Sequence, residues 1–114
     1  MSRKNATVLA FGDYRAKPRT LYFTRSELNQ LLGLYSRQVA RGIWRDYAID
    51  HREGMALFSV FRHTHEAPVY RIIKTASAEF TVQSGRQRLR VAATLAEALE
   101  FFQTRLILVA AERA

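Results

Sequence analysis

The chain contains no cysteine, only two prolines and only five glycines. The first absence excludes a disulfide framework, a thiol nucleophile and a cysteine-ligated zinc site, and suits a reducing compartment. The longest unbroken apolar run, Leu106 to Ala111, is far shorter than the roughly 20 residues a membrane-spanning helix needs. The first residues also lack the apolar stretch of a signal peptide. A cytoplasmic protein without a membrane partner is expected. No nucleophile elbow, glycine-rich phosphate loop or zinc-finger spacing is present, so neither catalysis nor a cofactor is expected. His63-Thr64-His65 beside Glu66 has a spacing that offers two imidazoles to a metal, but no second cluster answers it, and no metal site is expected. Asp46, Asp50 and Glu53 are the main acidic concentration. Carboxylates on a strand face more often pair with neighbouring arginines than perform acid-base chemistry.

Acidic residues are scarce as well, 10 against 18 lysines and arginines, which leaves a net charge of +8 in 114 residues. The excess concentrates in two places. Residues 1–26 hold Arg3, Lys4, Arg15, Lys17, Arg19 and Arg25 against Asp13 alone, and residues 84–93 hold Arg86, Arg88 and Arg90 unopposed. Arginine far outnumbers lysine, and its planar fork suits phosphate or carboxylate better than a lysine point charge does. A G- and C-rich genome produces the same bias without functional meaning. With 48% apolar and 25% charged residues the chain is globular. Its length accommodates one core, read as a basic arm over residues 1–19 and a single α+β domain over 20–114.

The centre of that domain is the stretch from Ile43 to Thr75. Three runs rich in β-branched and aromatic residues, Ile43–Asp50, Met55–Arg62 and Val69–Thr75, are separated by turn residues and predict a three-stranded antiparallel meander. The middle run is apolar on both alternating sets, which suggests the centre of the sheet. Before it, Thr24-Arg25-Ser26-Glu27 is a capping box. Leu28, Leu31, Leu32, Tyr35 and Val39 follow at helical spacing, and Gly42 is placed to end the helix. Gln30, Arg37 and Arg41 lie on the opposite side, as a solvated face or a binding face. The single tryptophan, Trp44, is a core residue or an anchor for a partner.

After the meander, a Ser84-Gly85 turn predicts a hairpin in which Phe80, Val82, Leu89 and Val91 share the buried face. Glu79 then neutralises Arg90, and Arg86, Arg88 and Arg90 form a row on the other face. That row reads either as a charged guard on an edge strand or as a ligand-binding surface. Thr94 and Glu97 open a last helix whose stripe of Leu95, Leu99, Phe102, Leu106 and Val109 is widened by Phe101, Ile107 and Leu108. An apolar surface that wide is buried by the domain or by a second copy.

Helix, three strands and a final helix is similar to the order in the double-stranded-RNA-binding domain, with a hairpin added. Leu95-Ala96-Glu97-Ala98 stands where that family presents lysines, so no residue role carries over. Five segments show a closer likeness: Phe23 to Leu28, Leu34-Tyr35-Ser36-Arg37, Trp44 to Asp50, Phe58 to Arg62 and Pro68 to Ile72. Over roughly residues 20 to 105 the chain resembles a small alphaproteobacterial family catalogued as a domain of unknown function. The resemblance implies a bacterial cytoplasmic protein and no mechanism. Two functional expectations follow from the residues themselves. The first is a non-enzymatic module binding nucleic acid or another polyanion through Arg15, Lys17, Arg19, Arg86, Arg88 and Arg90. The second is a protein-interaction or regulatory subunit, a homodimer through the last helix among its forms, using Trp44, Phe101 and Leu108.

Overall fold

The computed structural model describes residues 19–63 and 66–103. Helix α1 spans Arg25–Ala40, and its capping box is complete. The Thr24 side chain accepts from the Glu27 amide at 3.1 Å, and the Glu27 carboxylate accepts from the Thr24 amide at 2.7 Å. At the other end Gly42 has φ +74. Its amide bonds to the Val39 carbonyl and the Ile43 amide to the Gln38 carbonyl, the paired closure of a Schellman motif, in which glycine takes the left-handed position without a Cβ clash. The buried face of α1 is centred on Leu31, Leu34 and Gln38. Val39, expected on that stripe, lies at its rim and is 41% exposed.

Five strands follow: β1 (Asp46–Arg52), β2 (Met55–Phe61), β3 (Tyr70–Thr75), β4 (Phe80–Ser84) and β5 (Gln87–Ala92). They form one antiparallel sheet in chain order, β1-β2-β3-β4-β5, so the meander and the hairpin are continuous and the fold is α+β. The central position belongs to β3, one strand further on than the apolar pattern of the middle run suggested. The pattern fits the other position that such a run allows, a strand flanked by two others: β2 is enclosed by β1 and β3, and Ala56, Phe58 and Val60 have no exposed surface. The first turn is also tighter than expected. Pairing continues to Arg52↔Met55, and Glu53-Gly54 is the whole connection, with Gly54 at φ +75.

Cross-strand partners share a face. Tyr47, Ile49, Phe58, Val60, Ile72, Phe80 and Val82 fall on one side by register. Both helices cover that side, α1 through Leu31 and Leu34 and the second helix, α2 (residues 95–103), through Leu95, Ala98 and Phe102. The other side carries Met55, Leu57, Phe61, Ile73, Arg71 and Val91, and no described helix covers it. The alternation of strands leaves the molecule with two ends. One, the cap end, holds the start of α1 and the β1–β2 and β3–β4 turns. The other, the loop end, holds the end of α1, the β2–β3 loop and the β4–β5 turn, which Ser84 ties to that loop through its hydroxyl and the Val69 carbonyl, 3.0 Å.

Candidate polyanion-binding site

The hairpin register differs from the expected one by a single residue at the turn, and this redistributes the arginines. The turn is Gly85-Arg86, closed by Ser84↔Gln87, and a bulge between Val82 and Gln83 leaves Leu89 unpaired. Gly85, at φ +60, takes the first turn position, as in a type II′ hairpin. Beyond the bulge Thr81 pairs with Val91 and Val82 with Arg90. Val91, expected in the core, is therefore 45% exposed, while Thr81 is buried. Arg90 is turned to the helix side, where its guanidinium donates to the Glu97 carbonyl at 2.8 Å and approaches Glu100 at 4.0 Å. Glu79 does not neutralise it; Glu79 serves the β3–β4 turn through its backbone bonds to Thr75. Arg86, Arg88 and Arg90 thus do not form one row.

The other predicted residues are also separated. Arg15 and Lys17 lie outside the described residues. Arg19 is at the cap end, where its carbonyl accepts from the Gly54 amide at 3.1 Å. Arg86 and Arg88 are at the loop end, at the opposite edge of the sheet, four strand spacings or roughly 19 Å across.

What the loop end gathers instead is a larger set of arginines from every element that reaches it. Arg37 and Arg41 come from the last turn and cap of α1, Arg45 from the approach to β1, and Arg62 from the end of β2. Arg71 is the second residue of β3, and Arg86 and Arg88 open the last hairpin. Arg71 and Arg88 flank Gln83 in one cross-strand row on the helix-free face, roughly 10 Å apart. All seven are exposed, and among the described residues none makes an ion pair. Among the described residues the carboxylates at this end are Asp46, whose oxygen accepts from the Tyr47 amide at 2.8 Å, and Glu66. At the cap end cations and carboxylates balance: Arg52 bridges Asp50 at 2.7 Å and Lys74 bridges Glu27 at 2.8 Å.

Within the loop end is a cleft of about 460 Å³ lined by Gly42, Ile43, Trp44, Arg45, Arg62 and His63. Its two walls are joined through the backbone. The Arg45 amide donates to the Phe61 carbonyl at 2.7 Å, and the Arg45 carbonyl accepts from the Tyr35 hydroxyl at 3.0 Å. Burial, with the nearby Asp46 carboxylate and Tyr47, pushes the Tyr35 phenol above its ordinary pKa. It remains a donor across the neutral range.

Trp44 is in the core, 4% exposed and edge-on to Phe102 at 5.4 Å, so the packing alternative holds and the indole face is not offered to a partner. Phe101 is half-buried and packs edge-on against Tyr70 and Phe102; Leu108 lies outside the described residues. Among the described residues no three metal-ligating side chains cluster; His65 lies outside them. No helix among them is long and apolar enough to cross a membrane. Sequence reasoning missed Arg45, Arg62 and Arg71 as members of a site. Each stands alone in its own stretch, and only the topology makes them neighbours.

No curated protein and no solved structure matches the chain. The family model described as a protein of unknown function, DUF2794, matches residues 21–89, the segment from the lead into α1 through the third residue of β5. That segment carries the capped helix, the first four strands and the seven loop-end arginines, and the chain belongs to the DUF2794 family.

Proposed function

We propose that this domain is a non-enzymatic module that binds nucleic acid or a comparable polyanion, and that it does so with its loop end. The observation that carries this reading is the gathering at one end of seven exposed arginines that, among the described residues, make no ion pair and meet only two carboxylates there. Guanidiniums gathered at one end of the molecule raise the local potential there and attract phosphate without sequence preference. The exposed aromatic described at this end, Tyr47 at 38%, is stacked on Phe58 and edge-on to Tyr35, so it is held by its own neighbours, which favours backbone contact over base reading. Titration of a labelled single strand and a labelled duplex at low salt tests the proposal. Wild-type protein is expected to bind both, and Arg62→Glu with Arg86→Glu to abolish binding while the fold persists. Failure of the wild type to bind either would end it.

A second reading, self-association, is favoured by a specific surface. The helix-free sheet face carries Met55, Phe61 and Ile73, half-buried, and Val91, 45% exposed. A role in protein interaction would use this face and not the last helix, whose described part packs on the domain itself. Sedimentation equilibrium tests it, with Ile73→Lys expected to convert a dimer to monomer.

A further inference from the structure

We infer that the loop-end cleft is a seat for one phosphate monoester with its attached sugar, either the phosphorylated end of a nucleic-acid strand or a free mononucleotide. The inference rests on the polyanion reading and names the group that this end selects.

The cleft differs from the rest of the basic surface in being concave. Arg37, Arg71, Arg86 and Arg88 stand on exposed helix, strand and turn positions that a passing backbone could touch. Arg45 and Arg62 instead face a common hollow from two segments held together by the Arg45 amide and Phe61 carbonyl. A volume of about 460 Å³ lies within the range of small-molecule sites, roughly 300 to 1,000 Å³. It is far more space than a lone phosphate needs and suits a nucleotide-sized group. An internal phosphodiester is flanked by chain on both sides and carries one charge. A terminal monoester enters from one side and carries between about one and a half and two charges at neutral pH.

The lining matches that ligand. Two guanidiniums supply donors in the fork geometry that phosphate oxygens accept, and the His63 imidazole adds a single N–H donor. Among the described residues none that lines it is a carboxylate. Ile43, half-buried, gives an apolar wall for the sugar, whereas Trp44 is too buried to stack on a base. The cleft is therefore indifferent to base identity.

Fluorescence anisotropy on the full chain tests this with a labelled oligonucleotide bearing either a 5′-phosphate or a 5′-hydroxyl. The phosphorylated strand is expected to bind about tenfold more tightly, the value of about one charge-assisted hydrogen bond. Arg45→Ala with Arg62→Ala should erase that preference, and Arg88→Ala should keep it while weakening both strands equally. Competition by adenosine monophosphate but not adenosine identifies a free mononucleotide as sufficient; competition only by the phosphorylated strand identifies the strand end. Equal affinity for the two oligonucleotides, or a preference that survives the double variant, overturns the inference and leaves the general polyanion reading standing. If neither strand binds at low salt, both fall.

Discussion

Glu27 closes the cap of α1 and at the same time anchors the helix to the sheet. Its carboxylate accepts from Lys74 at 2.8 Å, and Lys74 also donates to the Tyr22 carbonyl at 2.9 Å. Burial alone would raise the Glu27 pKa, but the hydrogen bonds from Lys74 and the Thr24 amide, with the lysine charge, hold it below its ordinary value near 4.5. A carboxyl whose folded pKa is lowered contributes stability that is present above that ordinary value and is lost as pH falls through the folded one. Glu27→Gln is expected to cost about 1 to 2 kcal/mol at pH 7. It should also flatten the decline in the urea midpoint between pH 5 and pH 3, about the range carboxylates titrate over. An unchanged acid limb would show that the pair contributes nothing. Gln38 makes the opposite case. It is 3% exposed in the middle of the buried helix face, and its side-chain oxygen has no partner. Gln38→Met keeps the volume and removes an unsatisfied acceptor, and is expected to raise stability by about 1 kcal/mol in chemical denaturation. A loss of stability would mean that the amide is satisfied in solution.

At the scale of elements, local chemistry was readable wherever it was self-contained. The threonine cap, the glycine stop and the second and third apolar runs each announce themselves within a few residues and appear where expected, whereas the first strand starts at Asp46, three residues after the expected Ile43, and runs on to Arg52. The Thr94 cap is partly realised: its hydroxyl accepts from the Glu97 amide at 3.2 Å, but the Glu97 carboxylate meets that hydroxyl and not the backbone amide. The last hairpin was not readable. Ser84-Gly85 and Gly85-Arg86 both put a glycine in a two-residue turn, so the local sequence permits either register. Contacts distant in sequence decide it. The bulge lets Leu89 pack against the core while Arg90 reaches the α2 backbone, and such a bulge also blunts an edge strand. The Schellman closure offers a prediction here. Gly42→Ala places a Cβ at φ +74, where open space surrounds it. The cost is therefore backbone strain alone, about 1 to 2 kcal/mol by thermal unfolding. A neutral effect would argue against the left-handed closure that shapes one side of the cleft.

At the scale of the whole molecule, the feature that matters is the polarity of charge that the described residues set up from one end to the other. The sequence placed its positive excess in an N-terminal arm and one hairpin, because those are the stretches where cations are consecutive or alternate. The loop end draws its arginines from α1, the approach to β1, and strands β2, β3 and β5 with the last turn. In the sequence each reads as an ordinary solvated charge. Antiparallel alternation returns the chain to the same end repeatedly, and that is what assembles them. Arg19 and Arg25, which belong to the sequence-level excess, go to the cap end with the start of α1, where carboxylates offset the cations.

The most direct test of this account is the salt dependence of binding to a single-stranded oligonucleotide. Each neutralised phosphate contributes a slope of roughly 0.7 in the logarithm of affinity against the logarithm of salt concentration. Replacing Arg45, Arg62 and Arg86 together with alanine is predicted to reduce the slope by about 2, while Arg25→Ala at the cap end leaves it unchanged. Wild-type binding that ignores salt, or a slope that falls with the cap-end variant and not with the loop-end one, would contradict it.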